Sequence, residues 1–228
     1  MIPLGDSRRS RRRPWSTWGL AAACAAAFAW QLSLGGAAAA TIERLAVSPA
    51  EIAAFSHPPT LLPRIVAAMF LHAGWLHLAG NLAFLLVFGD DVEGALGARR
   101  QLTLYFGAGL VATLAQAAAT PRSHLPLVGA SGAIAGLLGA FLVLFPKARL
   151  SGVLPLGCLL VPMKSRAYLF LPAWFLLQLA SALLAPVGEG GSGVAWYAHL
   201  AGFAAGPLLL ALLGRRRGGG VLSRSRRS

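Results

Sequence analysis

Gly129-Ala130-Ser131-Gly132 opens an apolar run that continues to residue 145, inside a charge-free stretch, residues 123–146, that can hold a membrane helix. The stretch places one hydroxyl, the side chain of Ser131, at the start of that run. Small residues also let membrane helices pack closely, so Gly-x-Ser-Gly alone indicates packing more strongly than catalysis. It gains meaning from polar residues that lie deep in two other apolar segments.

The first of these is the last apolar run, which carries His199 near its start in Ala198-His199-Leu200-Ala201-Gly202. A neutral imidazole is the usual general base for a serine hydroxyl. In the other segment His77 and Asn81 are four residues apart, which places them on one face of a helix. Polar groups within apolar sequence are costly unless they are partnered, so these residues indicate a functional site.

The composition is that of an integral membrane protein. Hydrophobic residues make up 57% of the 228 residues and charged residues only 12%, with a mean hydropathy of +0.66, a balance that soluble domains do not normally show. The net charge is +13, but the basic residues form short clusters between and outside the apolar runs. We therefore expect no nucleic-acid partner. Cys24 and Cys158 lie in separate apolar runs, and we expect no disulfide.

Charge-free stretches predict six transmembrane helices, each of which can hold the roughly 20 residues that a bilayer requires. They cover about residues 16–35, 69–90, 101–119, 131–146, 167–186 and 195–213, within a membrane domain of residues 15–213 between basic cytoplasmic tails, residues 1–14 and 214–228. A further apolar stretch, residues 150–163, is too short to span and contains two prolines, which is typical of an interfacial or re-entrant segment. The sequence thus predicts an all-α membrane protein built as a six-helix bundle.

An even number of crossings places both termini on the same side of the membrane, and the basic residues indicate that this side is the cytoplasm. This topology puts all but three of the 20 basic residues on the cytoplasmic side, in accord with the positive-inside rule. It also starts the helices of Ser131 and His199 at the same membrane face, several ångströms below the outer surface. For Asn81 to lie at the same depth, its helix must continue past Asp91 toward Gly97. The first outer loop, residues 37–64, contains several prolines, and its shape does not follow from the sequence.

A serine nucleophile needs a base and a site that stabilises the oxyanion. At a helix start Ser131 has free backbone N–H groups and the positive end of the helix dipole, and His77 and Asn81 can add side-chain donors. No acid is well placed to orient His199, since Glu189 lies ten residues before it in a Gly-rich loop. We therefore expect a Ser-His dyad rather than a triad.

Glycines follow both candidate residues at spacings that let two helices touch. Gly132 and two later glycines lie in the fourth predicted helix, and Gly202 and Gly206 lie in the sixth. If these two faces pack together, Ser131 and His199 meet. The packing and the catalytic interpretations therefore support each other.

Together these motifs resemble those of the rhomboid intramembrane serine proteases, over about residues 15–213. The resemblance rests on three motifs and a cytoplasmic turn, which are His77-x3-Asn81, Gly129-Ala130-Ser131-Gly132, Gly193-x4-Ala198-His199-x2-Gly202-x3-Gly206 and Glu93-Gly94. It implies Ser131 as nucleophile, His199 as base, and His77, Asn81 and the Ser131 backbone as the oxyanion site, without metal or cofactor. Ala135 departs from the pattern, since some members carry there an aromatic residue that stacks on the histidine, and the Trp-Arg pair that those members have in the first loop is not evident.

The resemblance also implies that the substrates are membrane-anchored proteins, cut within the bilayer near the outer end of a single-pass transmembrane helix at a small residue. The Ala- and Arg-rich composition with few lysines suggests a bacterial source, and we expect an integral protein of the bacterial inner membrane. Two other functions stay open. One is a catalytically inactive relative that binds transmembrane helices, although both Ser131 and His199 are present. The other is a metal site of His72, His77 and His199, which lacks a His-Glu-x-x-His helix and any deep carboxylate.

Overall fold

The computed structural model describes residues 2–8, 13–156, 159–184 and 194–214. Residues 9–12, Cys158, residues 185–186 of the fifth predicted helix, Glu189, Gly193 and the tail from residue 215 lie outside the described residues. The helices are α1 Trp15–Ser33, α2 Ala38–Leu45, α3 Pro49–Ala53, α4 Pro58–Ala68, α5 Trp75–Leu96, α6 Ala98–Ala119, α7 Ser131–Leu144, α8 Ala167–Leu184 and α9 Trp196–Leu213. A single 3-10 turn, Gly35–Ala37, joins α1 to α2, and the strands are β1 Ile2–Asp6, β2 Arg149–Leu156 and β3 Leu159–Arg166.

The fold is mostly helical, and several of its helices suit a bilayer. Among the described residues, α6, α8 and α9 are long and apolar enough to cross a membrane. Helix α1 and the segment Gly35–Leu45 that follows it are bent by 115° relative to each other. If these two pieces form one broken span, they add a fourth crossing. Two further helices that the sequence predicts to span are α5, whose last turns carry three carboxylates, and α7, which is apolar but has only 14 residues. The six crossings therefore stay a prediction.

The centre of the bundle is α7, in which residues 132–141 are all buried. No polar side chain follows Ser131 in this helix, and a helix that is apolar on every side is stable only when other elements surround it. Contacts with α5, α6, α8 and α9 supply that surrounding. As a result, the first residue of the most deeply buried helix carries a hydroxyl.

Glycines bring α7 and α9 into backbone contact. A Cβ atom on Gly202 would lie 2.1 Å from the carbonyl oxygen of Gly132, and one on Gly206 would lie 2.0 Å from that of Gly136. Only glycine permits such an approach. Because both pairs advance in the same direction along the chain, the two helices run parallel and begin at the same end of the bundle.

At the opposite end, Glu93 of α5 caps the start of α1. Its carboxylate accepts hydrogen bonds from the backbone N–H groups of Ser16 (3.0 Å) and Thr17 (2.9 Å) and from the Thr17 hydroxyl (2.9 Å). These N–H groups belong to the first turn, where no carbonyl of the helix can pair with them, and the negative charge favours that end of the helix dipole. As the depth argument required, α5 continues past Asp91 and ends at Leu96.

A three-stranded antiparallel sheet, ordered β1-β2-β3, corrects the expectation of an all-helical fold. Of residues 150–163, expected to form an interfacial or re-entrant segment, residues 150–156 belong to β2 and residues 159–163 to β3, and the amino-terminal tail supplies β1. The two prolines of this segment lie where a sheet tolerates them. Pro162 is on the edge strand β3, and Pro155 lies beyond Val153, where the pairing of β1 with β2 ends.

Residues 37–64, predicted as the first outer loop, fold into α2, α3 and part of α4 around the ion pair of Arg64 and Glu51. The guanidinium of Arg64 donates to Glu51 at 2.9 Å and also to the backbone carbonyls of Glu43 and Ala46. Ser48 and Glu51 cap the start of α3 reciprocally. This loop holds the segment that precedes α7, because the N–H of Leu127 donates to the carbonyl of Val47 and that of Gly129 to the carbonyl of Ala68.

Replacing Gly206 by alanine should destabilise the bundle. The added methyl would overlap the backbone of α7, so we expect the free energy of unfolding to fall by about 1–3 kcal/mol. The control is Gly19→Ala on α1, where a Cβ atom meets nothing within 4 Å. Thermal unfolding in detergent measures both, and equal midpoints would contradict the backbone contact.

Glu51 should make the outer loop acid-sensitive. Burial tends to raise the pKa of Glu51, but the hydrogen bonds from Arg64 and Ser48 and the charge of Arg64 together lower it below its ordinary value of 4.5. A carboxyl whose pKa is lowered by folding stabilises the protein above the unfolded-state pKa and loses this effect as the pH falls through the folded-state pKa. Glu51→Gln should therefore lower the thermal midpoint near neutral pH, and the difference from wild type should close in acid.

The matched control for this measurement is Glu43→Gln, which changes an exposed carboxylate on α2. It should leave the midpoint near that of wild type throughout the titration. A deficit of Glu51→Gln that does not vary with pH would contradict the role given to the ion pair.

Candidate active site

The starts of α7 and α9 bring Ser131 and His199 into hydrogen-bond contact. The Nε2 atom of His199 lies 2.8 Å from the Oγ atom of Ser131. The two residues are 68 positions apart in sequence, and the glycine contact between their helices is what aligns them. This is the distance at which a neutral imidazole can take the proton of a serine hydroxyl.

The other ring nitrogen of His199 faces an amide that the sequence argument missed. Nδ1 lies 3.3 Å from Oε1 of Gln178 on α8. An amide oxygen only accepts, so this contact places the ring proton on Nδ1 and leaves Nε2 free to accept from Ser131. A carboxylate is the usual third member of such a site, and the sequence offers none close to His199. The signal that could have identified Gln178 in the sequence was an amide side chain within a largely apolar stretch, and the structure shows that this amide is buried.

Tryptophan rings border the histidine. The centroids of Trp174 and Trp196 lie 6.2 and 6.1 Å from that of His199. Trp174 belongs to α8, and Trp196 is the first residue of α9. Ala135 packs against α9 near Gly202, where a Cβ atom would lie 3.4 Å from the alanine methyl. The rings next to His199 therefore come from α8 and α9, not from α7.

Two further polar side chains face the loop that leads into Ser131. A Cβ atom on Gly129 would lie 2.7 Å from Nε2 of His77 and 3.6 Å from Nδ2 of Asn81. Gly129 also has a φ of +114°, which side-chain-bearing residues rarely adopt. Nδ1 of His77 accepts from the N–H of Ala73 (3.4 Å), so the ring proton is on Nε2, the atom that faces the loop. Both predicted oxyanion donors are thus next to the start of α7.

His72 is fully buried and acts as a structural residue in this arrangement. The side-chain amide of Gln31 on α1 brackets its backbone, accepting from the N–H and donating to the carbonyl, both at 3.0 Å. The ring of His72 donates from Nδ1 to the carbonyl of Phe70 and contacts the ring of His77, with centroids 5.2 Å apart. Gln31 was also missed by the sequence argument. Within the described ranges, no three His, Cys, Asp or Glu side chains are close enough to share a metal ion.

A small cavity borders Ser131 on the side of α6. Its volume is about 40 Å³, and its walls come from α4, α6, α7, the start of α9 and the loop at Gly129. One water fills about 30 Å³ of liquid, so the cavity has room for a water molecule or a small side chain. Gln116 of α6 fixes the neighbouring start of α9 by accepting from the N–H of Ala198 at 3.1 Å.

The chain is similar to proteins of one family. A family model of the Rhomboid domain matches residues 60–216. The chain is 38% identical over 84 residues to the putative rhomboid protease YdcA of Bacillus subtilis, covering 36% of this chain and 42% of that protein. It is 34% identical over 150 residues to rhomboid-like protease 5 of Toxoplasma gondii, covering 64% of this chain and 15% of that protein.

Not every relative carries the name of a protease. The chain is also 34% identical over 86 residues to inactive rhomboid protein 1 of Drosophila melanogaster, covering 38% of this chain and 6% of that protein. The matched regions span less than half the length of these relatives. Similarity therefore identifies the domain, and the question of activity depends on the site.

Replacing Gln31 by leucine should loosen the segment that carries His72 and His77. The change leaves a buried N–H and a buried carbonyl without their partners, and each loss costs about 1–3 kcal/mol. Hydrogen exchange of the peptide around His72 should accelerate relative to wild type. Leu32→Ala, at an exposed position of the same helix, is the control. Unchanged exchange in Gln31→Leu would show that the bracket does not hold this segment.

Proposed function

The chain belongs to the rhomboid family of integral membrane proteins, and on this premise we propose that it is an intramembrane serine endopeptidase acting through a Ser131-His199 dyad. The observation that supports this most directly is the 2.8 Å hydrogen bond between Nε2 of His199 and Oγ of Ser131. A serine that only packed two helices would not need an imidazole aimed at its hydroxyl. The tautomer of His199, with its proton on Nδ1, is the one that a base requires.

In the proposed first step, Oγ of Ser131 attacks the carbonyl carbon of the scissile peptide while Nε2 of His199 takes the hydroxyl proton. The carbonyl oxygen becomes an oxyanion, which the Ser131 N–H and the Nε2–H of His77 and Nδ2–H of Asn81 stabilise. The side chains of His77 and Asn81 face the loop at Gly129, which leads directly into Ser131. His199 then gives its proton to the departing amine, the C–N bond breaks, and an acyl-enzyme on Ser131 remains.

The second step reverses these roles with water. His199 takes a proton from a water molecule as its oxygen attacks the acyl carbon, and the same donors stabilise the second oxyanion. The imidazolium then protonates Oγ as the ester bond breaks, which restores Ser131 and releases a carboxylate product. No metal or cofactor takes part in this proposed scheme.

The proposed substrates are membrane-anchored proteins with a single transmembrane helix, cut near its outer end. The family acts on such substrates within the bilayer, and the small cavity beside Ser131 suits a small residue near the cut bond. We propose the bacterial inner membrane as the location, with six crossings and both termini in the cytoplasm. The alternative is an inactive rhomboid-like protein that binds transmembrane helices, as the name of the Drosophila relative allows.

Co-expression with model single-pass substrates tests the proposal. Wild type should cleave, whereas Ser131→Ala and His199→Ala should not. Asn81→Ala should keep a residual activity, because loss of one oxyanion donor costs about 10²- to 10³-fold in rate. A hydroxyl-directed fluorophosphonate should label wild type at Ser131 and should label Ser181→Ala, which lacks a serine of α8, equally well.

The same series separates the two candidate functions. An inactive helix-binding protein would bind the substrates without cutting them and would take up no more fluorophosphonate than Ser131→Ala. That result, obtained with folded protein, would exclude the protease.

A further inference from the structure

We propose that Gln178 is a positioning residue that makes the pair Ser131-His199 a Ser-His-Gln triad. The proposal rests on the proposed protease function. Its geometric basis is the contact between Oε1 of Gln178 on α8 and Nδ1 of His199 on α9. The contact of its side chain is with the imidazole, so we assign it a role that acts through His199.

The environment of Gln178 favours a specific role for its amide. Gln178 is only 8% exposed. Helix α8 is largely apolar, and Leu176 and Leu177, which precede Gln178, are exposed. An amide in such surroundings is costly unless it is hydrogen-bonded. The amide oxygen of Gln178 makes this hydrogen bond with the imidazole of His199, which lies on the neighbouring helix α9 and is 21 residues further along the chain.

The contact fixes two properties of His199 at once. An accepting oxygen at Nδ1 selects the tautomer whose Nε2 carries no proton, which is the form that can deprotonate Ser131. It also limits rotation of the ring, since Nδ1 is held on the α8 side while Nε2 points to α7.

Other contacts around the ring do not replace this hydrogen bond. The neighbouring rings of Trp174 and Trp196 are at centroid distances of 6.2 and 6.1 Å and restrain the ring only by packing. The residue one turn after Ser131 is Ala135, whose methyl faces α9 near Gly202. Packing can limit the tilt of the imidazole, but it cannot choose which nitrogen bears the proton.

An amide suits this position better than a carboxylate would in one respect. It accepts a hydrogen bond from Nδ1–H without bringing a net charge into an apolar helix, where an ionised group is expensive. The expected weakness follows from the same property, because a neutral acceptor forms a weaker bond than a charged one. Gln178 should therefore orient His199 while stabilising the imidazolium only modestly.

The test compares Gln178→Leu, which keeps the size but removes the acceptor, with Gln178→Glu, which restores an acceptor. Loss of correct tautomer selection costs up to about 10⁴-fold in serine proteases, and we expect kcat of Gln178→Leu to fall by about 10- to 100-fold with KM little changed. Gln178→Glu should recover most of that loss. Leu177→Ala, exposed on the same helix, should behave as wild type.

Fluorophosphonate labelling separates positioning from a purely structural effect. If Gln178 positions His199, Gln178→Leu slows the rate of labelling of Ser131 but reaches the same final extent. A lower final extent at an unchanged rate would mean that part of the protein is misfolded, and it would overturn the proposal. So would a wild-type kcat in Gln178→Leu, or a Gln178→Glu variant no better than Gln178→Leu. Absence of cleavage and labelling in wild type would instead overturn the proposed protease function itself.

Discussion

The backbone contact between α7 and α9 is the constraint on which the rest of the structure depends. Helices that carry side chains at their interface lie about 8–10 Å apart, and a smaller separation requires glycine on the facing surfaces. Gly202 and Gly206 meet the carbonyls of Gly132 and Gly136 in this way. The contact fixes the register of two parallel helices, so a hydroxyl at the start of one and an imidazole in the first turn of the other are brought together. The polar site is thus a product of an apolar interface.

Buried glutamines add hydrogen bonds between the elements of the fold. Gln31, Gln101, Gln116 and Gln178 are each less than 9% exposed, and each joins its own helix to another part of the fold. They bond to the backbone of His72, to Gly89 and the start of α1, to the N–H of Ala198, and to the ring of His199, respectively. An amide both donates and accepts, so it can satisfy backbone groups and side chains without a buried charge. The glutamines therefore fix the positions of neighbouring elements by hydrogen bonds without placing a charge in the apolar interior.

The sequence predicted the family, and the comparisons confirm it. It also indicated which helices carry polar groups, because an isolated histidine or asparagine in apolar sequence is conspicuous. Gln178 and Gln31 were not predicted as site residues, because their partners are an imidazole nitrogen and a backbone peptide group. Such contacts leave no pattern in the sequence. The sheet escaped for a different reason. Its strands pair Pro3 with Gly152, and a pairing between such distant residues follows from tertiary structure and not from local periodicity. The shape of the outer loop depends on the ion pair of Arg64 and Glu51, which spacing alone does not specify.

The position of β1 has a consequence for biosynthesis. Ile2–Asp6 is translated before its partner strand, which follows α7 in the chain. The strand must therefore remain unpaired with β2 while the seven helices from α1 to α7 are translated. Closing so long a loop is entropically unfavourable until the bundle has brought its ends together. The sheet consequently forms late, and its completion marks a chain whose central helix is already in place.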